Sequence, residues 1–218
     1  MAIMKPDRIK LKDLLEPGGE SRFKQLALDI KQGAVFVYPT ETIYGIGGNT
    51  ELPYVNEKIF NTKQRPSENP MIHLAAKKEL FSHLLERTSP VARFLANTFW
   101  PGLLTIVIPI DEVRSGIAIR LSNHPFLMKL SEFINFPIYS TSANVSGKPY
   151  NPDPDYIYEI FKNEVDFMID GGILPPSAPS SVVKIDSDAC IEVIREGILS
   201  KASIRSALEN AGFTVGVK

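Results

Sequence analysis

The sequence predicts an α+β (mixed α/β) fold in which a twisted mixed β-sheet of about seven strands is covered by helices. Short apolar runs typical of buried strands occur at residues 34–38, 71–75 and 103–110. Stretches with helical spacing separate most of these runs. The runs at 103–110 and 116–120, however, have no helical stretch between them. A mixed sheet is therefore favoured over a purely parallel one.

The first helix is predicted at residues 21–32, where apolar residues recur at helical spacing and Gly33 ends the pattern. The nearly continuous apolar run at 34–38 follows as a strand that is buried on both faces. Later helices are predicted at 53–60, 77–85, 90–100, 125–133, 155–162 and 200–210. Later strands are predicted at 71–75, 103–110, 116–120, 137–140, 166–170, 181–185 and 191–194.

The length of 218 residues and the 44% hydrophobic content predict one substantial core. Residues 1–20 are mixed in character and end in the loop signal Pro17-Gly18-Gly19. We therefore expect an N-terminal extension at 1–20 and a single domain at 21–218.

The charge balance gives no global field that would attract nucleic acid or an acidic membrane, because 24 basic and 25 acidic residues leave a net charge of −1. Cys190, the only cysteine, indicates a reducing compartment. No apolar run reaches the roughly 20 residues that cross a bilayer. We expect a cytoplasmic protein without a membrane partner. The histidines and Cys190 show no zinc-ligand spacing, so no protein-held metal is predicted.

Two cations and two prolines in residues 63–70 point to a local anion site. If this segment is extended, Lys63 and Arg65 project from the same face. Pro66 and Pro70 restrict the backbone, which lowers the entropy lost when a polyphosphate binds. The only glycine cluster, Gly45-Ile46-Gly47-Gly48, matches neither a P-loop nor a dinucleotide fingerprint.

Polar side chains follow several predicted strands. Thr40, Glu41 and Thr42 come after the strand at 34–38, Arg120 ends the strand at 116–120, and Ser142 and Asn144 follow the strand at 137–140. Strand ends are where open α/β sheets usually collect ligands. We expect a pocket of hydroxyl, amide and guanidinium groups there.

Several ordered segments resemble the motifs of the YrdC-like family, the threonylcarbamoyl-AMP synthases. The resemblance covers about residues 21–200 and rests on Tyr38-Pro39-Thr40-Glu41-Thr42-Ile43-Tyr44-Gly45, Lys63-Gln64-Arg65-Pro66, Phe99-Trp100-Pro101-Gly102, Arg120 with His124-Pro125, and Ser142-Ala143-Asn144-Val145-Ser146-Gly147.

This resemblance implies a YrdC-like fold with a concave, positively lined ligand surface. It also implies that L-threonine, bicarbonate and ATP with Mg²⁺ are converted to threonylcarbamoyl-AMP and pyrophosphate. The product would pass to downstream threonylcarbamoyl transferase machinery that forms threonylcarbamoyladenosine in tRNA. Longer family members carry an extra C-terminal domain, and the resemblance leads us to expect none here.

The resemblance also implies roles for individual residues. The catalytic signature carries over as Lys63, Arg65, Ser142 and Asn144. The implied L-threonine contacts are Thr40, His73, Arg120 and Ser142, and the implied ATP contacts are Lys63, Arg65, Ser67, Asn144 and Arg195.

Two segments depart from the family pattern, and they leave alternatives open. Residues 148–153 lack the usual small hydroxyl residue followed by Pro and Thr, and residues 175–179 replace the glycines that precede the late Ser-Ser-Val-Val run at 180–183. A diverged nucleotide-binding paralogue is one alternative function. A module that binds double-stranded RNA or tRNA is another, although the net charge opposes it.

Overall fold

A single mixed sheet organises the protein. The structure, a computed structural model, describes residues 7–64, 71–110, 113–187 and 190–218. These residues contribute eleven strands in the spatial order β1-β8-β2-β3-β7-β4-β6-β5-β9-β10-β11. The strands are β1 Asp7–Lys10, β2 Phe36–Tyr38, β3 Gly45–Asn49, β4 Ile72–Ala75, β5 Leu104–Ile110, β6 Val113–Leu121, β7 Ile138–Ser142, β8 Phe167–Asp170, β9 Ser181–Ser187, β10 Cys190–Arg195 and β11 Gly216–Val217.

Eight α-helices and one 3₁₀ turn connect the strands within the described ranges. They are α1 Leu11–Leu15, α2 Glu20–Lys31, α3 Pro53–Lys63, the 3₁₀ turn Lys78–Phe81, α4 Ser82–Glu86, α5 Pro90–Phe99, α6 Pro125–Leu130, α7 Pro154–Phe161 and α8 Lys201–Asn210. Several begin with a side-chain cap: the Ser89 hydroxyl accepts from the Ala92 amide, and the Ser200 hydroxyl accepts from the Ser203 amide. In the part of the chain that is described, no helix has the length and apolar character to cross a membrane.

The predicted fold class is confirmed, but the predicted count of about seven strands is wrong. The described residues form eleven, because β1, β3 and β11 add to the eight strands predicted at the separate ranges given above. The glycine cluster is strand β3, although glycine disfavours strands. A Cβ on Gly47 would lie 2.3 Å from the Tyr139 carbonyl oxygen and 2.9 Å from the Tyr38 ring. Close packing across three strands therefore requires glycine there.

The two faces of the sheet are covered differently. Helices α3 and α7 pack on one half of the first face, and α4, α5 and α8 pack on the other half. On the second face, α1, α2 and α6 cover the end near β2 and β8 and extend to Ile138 of β7 and Leu74 of β4. The rest of that face, across β7, β4, β6, β5, β9 and β10, has a cleft above it.

Residues 7–20 contribute to the same sheet as the rest of the chain. Strand β1 pairs in parallel with β8, from Asp7 opposite Phe167 to Lys10 opposite Asp170. The buried Asp170 carboxylate accepts hydrogen bonds from Arg8 at 2.9 Å and Lys10 at 2.5 Å. The boundary at residue 20 remains a prediction, but the segment before it supplies an edge strand and two partners of a buried charge.

Lys63 does not lie in an extended loop. It is the last residue of α3, and Gln64 ends that helix with a left-handed φ of 51°. The expected extended arrangement, in which Lys63 shares a face with Arg65, is therefore wrong at Lys63. Arg65 and Ser67 lie outside the described residues.

Candidate active site

The cleft on the open part of the second face has a volume of about 840 Å³. Its floor is made by strand side chains such as Ile72, Val107, Ala118 and Val182, and polar residues surround this apolar floor. The polar lining residues include Thr40, Thr42, Lys63, Arg120, Ser140, Ser142, Asn144, Ser180, Lys184, Glu192 and Arg195. An apolar floor with converging polar groups is typical of a small-molecule site.

Lys63, Ser142 and Asn144 form one hydrogen-bonded group at this cleft. The Lys63 ammonium donates to the Ser142 carbonyl and lies 3.4 Å from both the Ser142 hydroxyl and the Asn144 carboxamide oxygen. The Ser142 hydroxyl donates to the same Asn144 oxygen at 2.5 Å. Lys63 is only 2% exposed. The end of α3 and the end of β7 thus hold a cation next to two neutral polar groups.

The unusual segment at 148–153 is tied to this group by hydrogen bonds. The Asn144 amide nitrogen donates to the Lys148 carbonyl at 2.6 Å. The Tyr150 hydroxyl accepts from the Tyr44 backbone amide at 2.9 Å, at the start of β3. The altered loop therefore still supports the Ser142 and Asn144 positions.

Thr40 and Thr42 form a hydroxyl pair at the end of the cleft near β2. Their hydroxyl oxygens are 3.0 Å apart, and Thr40 also donates to the Ile43 carbonyl at 2.7 Å. The Thr40 hydroxyl accepts from the backbone amides of Thr42 and Ile43, which makes it the cap of its own turn. Both threonines are buried and line the cleft.

Arg120 lies beside this hydroxyl pair and is 5% exposed. Its Nε donates to the Gly102 carbonyl at 2.7 Å, and its Nη2 donates to Glu41 at 2.9 Å. Its Nη1 lies 3.4 Å from the Thr42 hydroxyl oxygen. Burial lowers the pKa of Arg120, and the negative charge of Glu41 opposes that change. An arginine retains its positive charge under such conditions, so this end of the cleft offers a fixed cation.

Arg195 lines the opposite end of the cleft, near β9 and β10. Its guanidinium donates to the Ser180 carbonyl at 3.0 and 2.8 Å, from Nε and Nη2 respectively. The Ser180 hydroxyl is 2.9 Å from that of Thr105. Arg195 thus contacts Ser180, the residue that directly follows the altered segment at 175–179.

The structure does not bring His73 into the cleft. In β4, Ile72 pairs with Ser140 and Leu74 pairs with Arg120, so these two residues share the cleft face. His73 lies between them and points to the other face, because strand side chains alternate. There its ring meets the Tyr139 ring edge-on at 5.4 Å, and burial lowers its pKa to about 4. Its expected role as a threonine contact is corrected on this ground.

Sequence reasoning omitted several residues that the structure places at the site. Ser140 lines the floor, and Lys184 and Glu192 face each other across β9 and β10. Glu41 was expected at the strand-end pocket, but its contact with Arg120 was not. The signal for Lys184 and Glu192 was available, because both alternate with buried apolar residues in adjacent strands. Ser140 could not be assigned to the cleft before the order of the strands was known.

The arrangement can bind an elongated anion. Lys63, Arg120 and Arg195 present positive charge at separate points of one cleft, and hydroxyl and amide groups lie between them. Fixed cations and neutral donors of this kind stabilise charge on a phosphate chain or a carboxylate. Within the described ranges, no group of three or more His, Cys, Asp or Glu residues could hold a metal ion.

Sequence comparison identifies relatives of this chain. The Sua5/YciO/YrdC family model, whose description reads telomere recombination, matches residues 29–197. The threonylcarbamoyl-AMP synthase of Pyrococcus abyssi is 35% identical over 164 residues, which cover 72% of this chain and 48% of that protein. The threonylcarbamoyl-AMP synthase of Bacillus subtilis is 31% identical over 202 residues, which cover 87% of this chain and 57% of that protein.

The fold comparison agrees with the sequence comparison. The crystal structure of P. abyssi Sua5 complexed with L-threonine superposes with a TM-score of 0.83 and 29% identity. The match covers 99% of this chain and 63% of that one. This chain therefore spans about half to two thirds of the length of these relatives.

Proposed function

Because this chain belongs to the Sua5/YciO/YrdC family, we propose that it is an L-threonylcarbamoyladenylate synthase, which is a nucleotidyltransferase. It converts L-threonine, bicarbonate and ATP to threonylcarbamoyl-AMP and pyrophosphate. Two relatives are named threonylcarbamoyl-AMP synthase, and a related structure contains L-threonine. These findings support the proposal for a chain that matches only part of their length.

One observation carries the proposal. The Lys63, Ser142 and Asn144 group and the Arg120, Thr42 group line the same cleft. The first group suits a polyphosphate, because it combines a buried cation with neutral hydrogen-bonding groups. The second suits an amino acid, because it combines a guanidinium with hydroxyls. A reaction that joins an amino-acid derivative to a nucleotide needs both kinds of subsite in one cavity.

The proposed chemistry needs no side-chain nucleophile. The threonine amine adds to carbon dioxide and loses a proton to solvent, or condenses with bicarbonate and releases water, and either route forms a carbamate. A carbamate oxygen then attacks the α-phosphorus of ATP, the bond from that phosphorus to the bridging oxygen breaks, and pyrophosphate leaves. Lys63 stabilises the charge that builds on the phosphates, and Ser142 and Asn144 orient the reactants. Mg²⁺ enters with ATP as part of the substrate.

The wider expectations remain part of the same proposal. The product passes to a threonylcarbamoyl transferase that modifies tRNA, and the reaction takes place in the cytoplasm. Arg65 and Ser67 are proposed to contact ATP together with Lys63, Asn144 and Arg195. Support for Arg65 and Ser67 comes from the motif resemblance alone, because both lie outside the described residues.

The test is pyrophosphate release with ATP, Mg²⁺, bicarbonate and each amino acid in turn. We expect release that requires both bicarbonate and L-threonine. Lys63→Met keeps most of the side-chain volume but removes the charge, and it should slow turnover roughly ten- to hundredfold, since a charge-assisted contact contributes about 1.5–3 kcal/mol. Arg65→Ala should give a loss of similar size.

Lys58→Met is the matched control for the lysine variant. Lys58 is on the same helix, but it is half-exposed and pairs with Asp166 at 2.7 Å, away from the cleft. Its substitution should leave turnover near the unmodified level. Near-normal turnover in both Lys63→Met and Arg65→Ala would reject the phosphate subsite. Release that depends on ATP but not on any amino acid would instead support a diverged nucleotide-binding paralogue.

A further inference from the structure

Glu41 forms a bridge between two distant parts of the sheet. Its carboxylate accepts hydrogen bonds from Arg120 Nη2 at 2.9 Å, from the Ser122 hydroxyl at 2.6 Å and from the Asn123 amide at 2.7 Å. Glu41 follows β2, whereas its three partners lie at or just beyond the end of β6. Three strands separate β2 from β6 in the sheet. The loop after β2 therefore reaches across one end of the cleft to hold Arg120.

This bridge determines which edge of Arg120 is available to a ligand. Nε is engaged by the Gly102 carbonyl and Nη2 by Glu41. Nη1 is left on the side of the Thr42 hydroxyl, at 3.4 Å. A guanidinium carries its donors in a fixed fork, so holding two nitrogens sets the direction of the third. The cleft consequently presents Nη1 next to the threonine hydroxyls.

We propose that Glu41 is a positioning residue that fixes Arg120 so that Nη1 receives the carboxylate of the amino-acid substrate. This inference rests on the proposed function, because it assigns Arg120 to the amino-acid end of the cleft. Glu41 itself does not contact the substrate. It acts through Arg120 and through the loop after β6.

The direction in which Glu41→Gln changes the KM for L-threonine distinguishes a positioning role of Glu41 from a purely electrostatic one. Glu41 is negative and lies next to a site for an anion, so its charge alone weakens carboxylate binding. If charge were its only influence, Glu41→Gln would lower the KM for L-threonine. If Glu41 positions Arg120, the same variant raises that KM. A glutamine offers one oxygen for the Ser122 and Asn123 donors and directs its amide donor toward Arg120, which also donates.

The experiment measures kcat and KM for L-threonine and for ATP in Glu41→Gln and Glu41→Asp. We expect Glu41→Gln to raise the threonine KM about tenfold, as for the loss of one charge-assisted hydrogen bond, with less than about a twofold change in the ATP KM. Glu41→Asp keeps the charge on a shorter side chain and should recover part of the loss. Glu132→Gln is the control, because Glu132 forms an exposed ion pair with Lys129 outside the cleft.

A double variant shows whether Glu41 acts through Arg120. Arg120→Lys retains the charge but cannot be held by two nitrogens. If Glu41 acts only through Arg120, the variant carrying both changes has the same threonine KM as Arg120→Lys alone. Effects that multiply, or a threonine KM that is unchanged or lowered in Glu41→Gln, would overturn the proposal. A loss of stability with normal KM values would also overturn it, because that result describes a structural role alone.

A second readout does not depend on activity. In protein labelled with ¹⁵N-arginine, the Arg120 guanidinium should give separate, slowly rotating Nη signals, which the Arg120→Lys spectrum identifies by their absence. These signals should merge in Glu41→Gln. If the unmodified protein shows no threonine-dependent turnover, the proposed function fails while this test still decides the positioning role. Unchanged Nη signals in Glu41→Gln would reject the positioning role of Glu41.

Discussion

Hydroxyl and guanidinium groups at single positions determine what the proposed amino-acid end of the cleft can recognise. The Thr40 hydroxyl forms hydrogen bonds within its own turn, where it donates to the Ile43 carbonyl and accepts from two backbone amides. The Thr42 hydroxyl contacts Thr40 and Arg120 Nη1, so it lies closer to the charged group. Under the proposed function, these residues, rather than His73, are the side chains available to distinguish one small amino acid from another.

Amino-acid selectivity follows from this set of groups. We predict the order threonine, then serine, then valine in bicarbonate-dependent pyrophosphate release. Valine leaves the buried hydroxyl partners without a hydrogen bond, whereas serine loses only a methyl group worth roughly 1 kcal/mol. The comparison of kcat/KM for the three amino acids measures this order. Equal values for threonine and valine would show that the cleft does not recognise the substrate hydroxyl.

The ring of His73 provides a second prediction, which concerns stability. Burial lowers its pKa from an ordinary value of 6.5 to about 4. Between these pH values the unfolded chain binds more protons than the folded one, so stability is present above pH 6.5 and is lost as the pH falls toward 4. Urea unfolding at pH 7.5 and pH 5 should show that the unmodified protein loses about 1–2 kcal/mol more than His73→Leu.

His83→Leu controls for the loss of an imidazole, since His83 is exposed on α4. The His73→Leu variant should also retain a normal threonine KM, because its side chain lies on the face opposite to Arg120. A rise of tenfold or more in that KM would return His73 to the amino-acid site.

The sequence could place residues that belong to a recognisable motif, but it could not place residues whose position depends on strand register or strand order. Lys63, Ser142 and Asn144 were recognisable as a motif, and the structure joins them directly by hydrogen bonds. Predicting the sheet face of His73 required the register of β4 against its neighbours, because a shift of one residue exchanges the two faces of a strand. Glu41 could be identified as a polar residue at a strand end. Its contacts with residues at the end of β6 could be predicted only from the order of the strands in the sheet.

At the scale of elements, the predicted helices and strands were largely correct where periodicity was strong. The structure has α5 at Pro90–Phe99 and β5 at Leu104–Ile110, close to the predicted 90–100 and 103–110. Strand β3 was missed because its glycines lack the side chains on which strand patterns depend. Strand β1 was missed because three of its four residues are charged, and charged residues are common in edge strands.

The edge strand β1 carries a prediction about the N-terminal boundary. Deletion of residues 1–20 should lower the free energy of unfolding by about 3 kcal/mol, because it removes both cationic partners of the buried Asp170. Burial raises the pKa of Asp170, but hydrogen bonds from Lys10, from the Gly172 backbone amide and from Arg8 hold it below its ordinary value. Urea unfolding of the full and shortened chains measures the difference.

Asp170→Asn in the shortened chain provides the internal check. It removes the unpaired charge and should recover part of the lost stability, whereas the same substitution in the full chain should destabilise. If the shortened chain is as stable as the full one, residues 1–20 are a dispensable extension of the domain at 21–218.

At the scale of the whole molecule, the open half of one sheet face explains how so many polar groups meet. Helices α2 and α6 pack against Ile138 of β7 and Leu74 of β4, and the remaining side chains on this face, from β7 to β10, line a cleft and not a core. The cations in this cleft are engaged by the protein's own oxygens: Lys63 by Ser142, Arg120 by Gly102, and Arg195 by Ser180. Such preorganised groups suit a small ligand that fits between them.

The net charge of the whole molecule distinguishes the proposed enzymatic function from an RNA-binding function. The net charge of −1 supplies no long-range attraction for a polyanion. A protein that neutralises six to ten phosphates loses roughly 10³–10⁵ in affinity between 50 and 200 mM salt. We predict a far shallower salt dependence here, with affinity for tRNA at physiological salt no tighter than the non-specific range of about 10⁻⁴–10⁻⁶ M.

Filter binding of tRNA and of a duplex RNA across this salt range measures the affinity and its salt dependence, with the Lys63→Met variant as a comparison. Steep salt dependence that persists in Lys63→Met would identify an RNA surface outside the cleft, and tight binding that ATP displaces would place the RNA inside it.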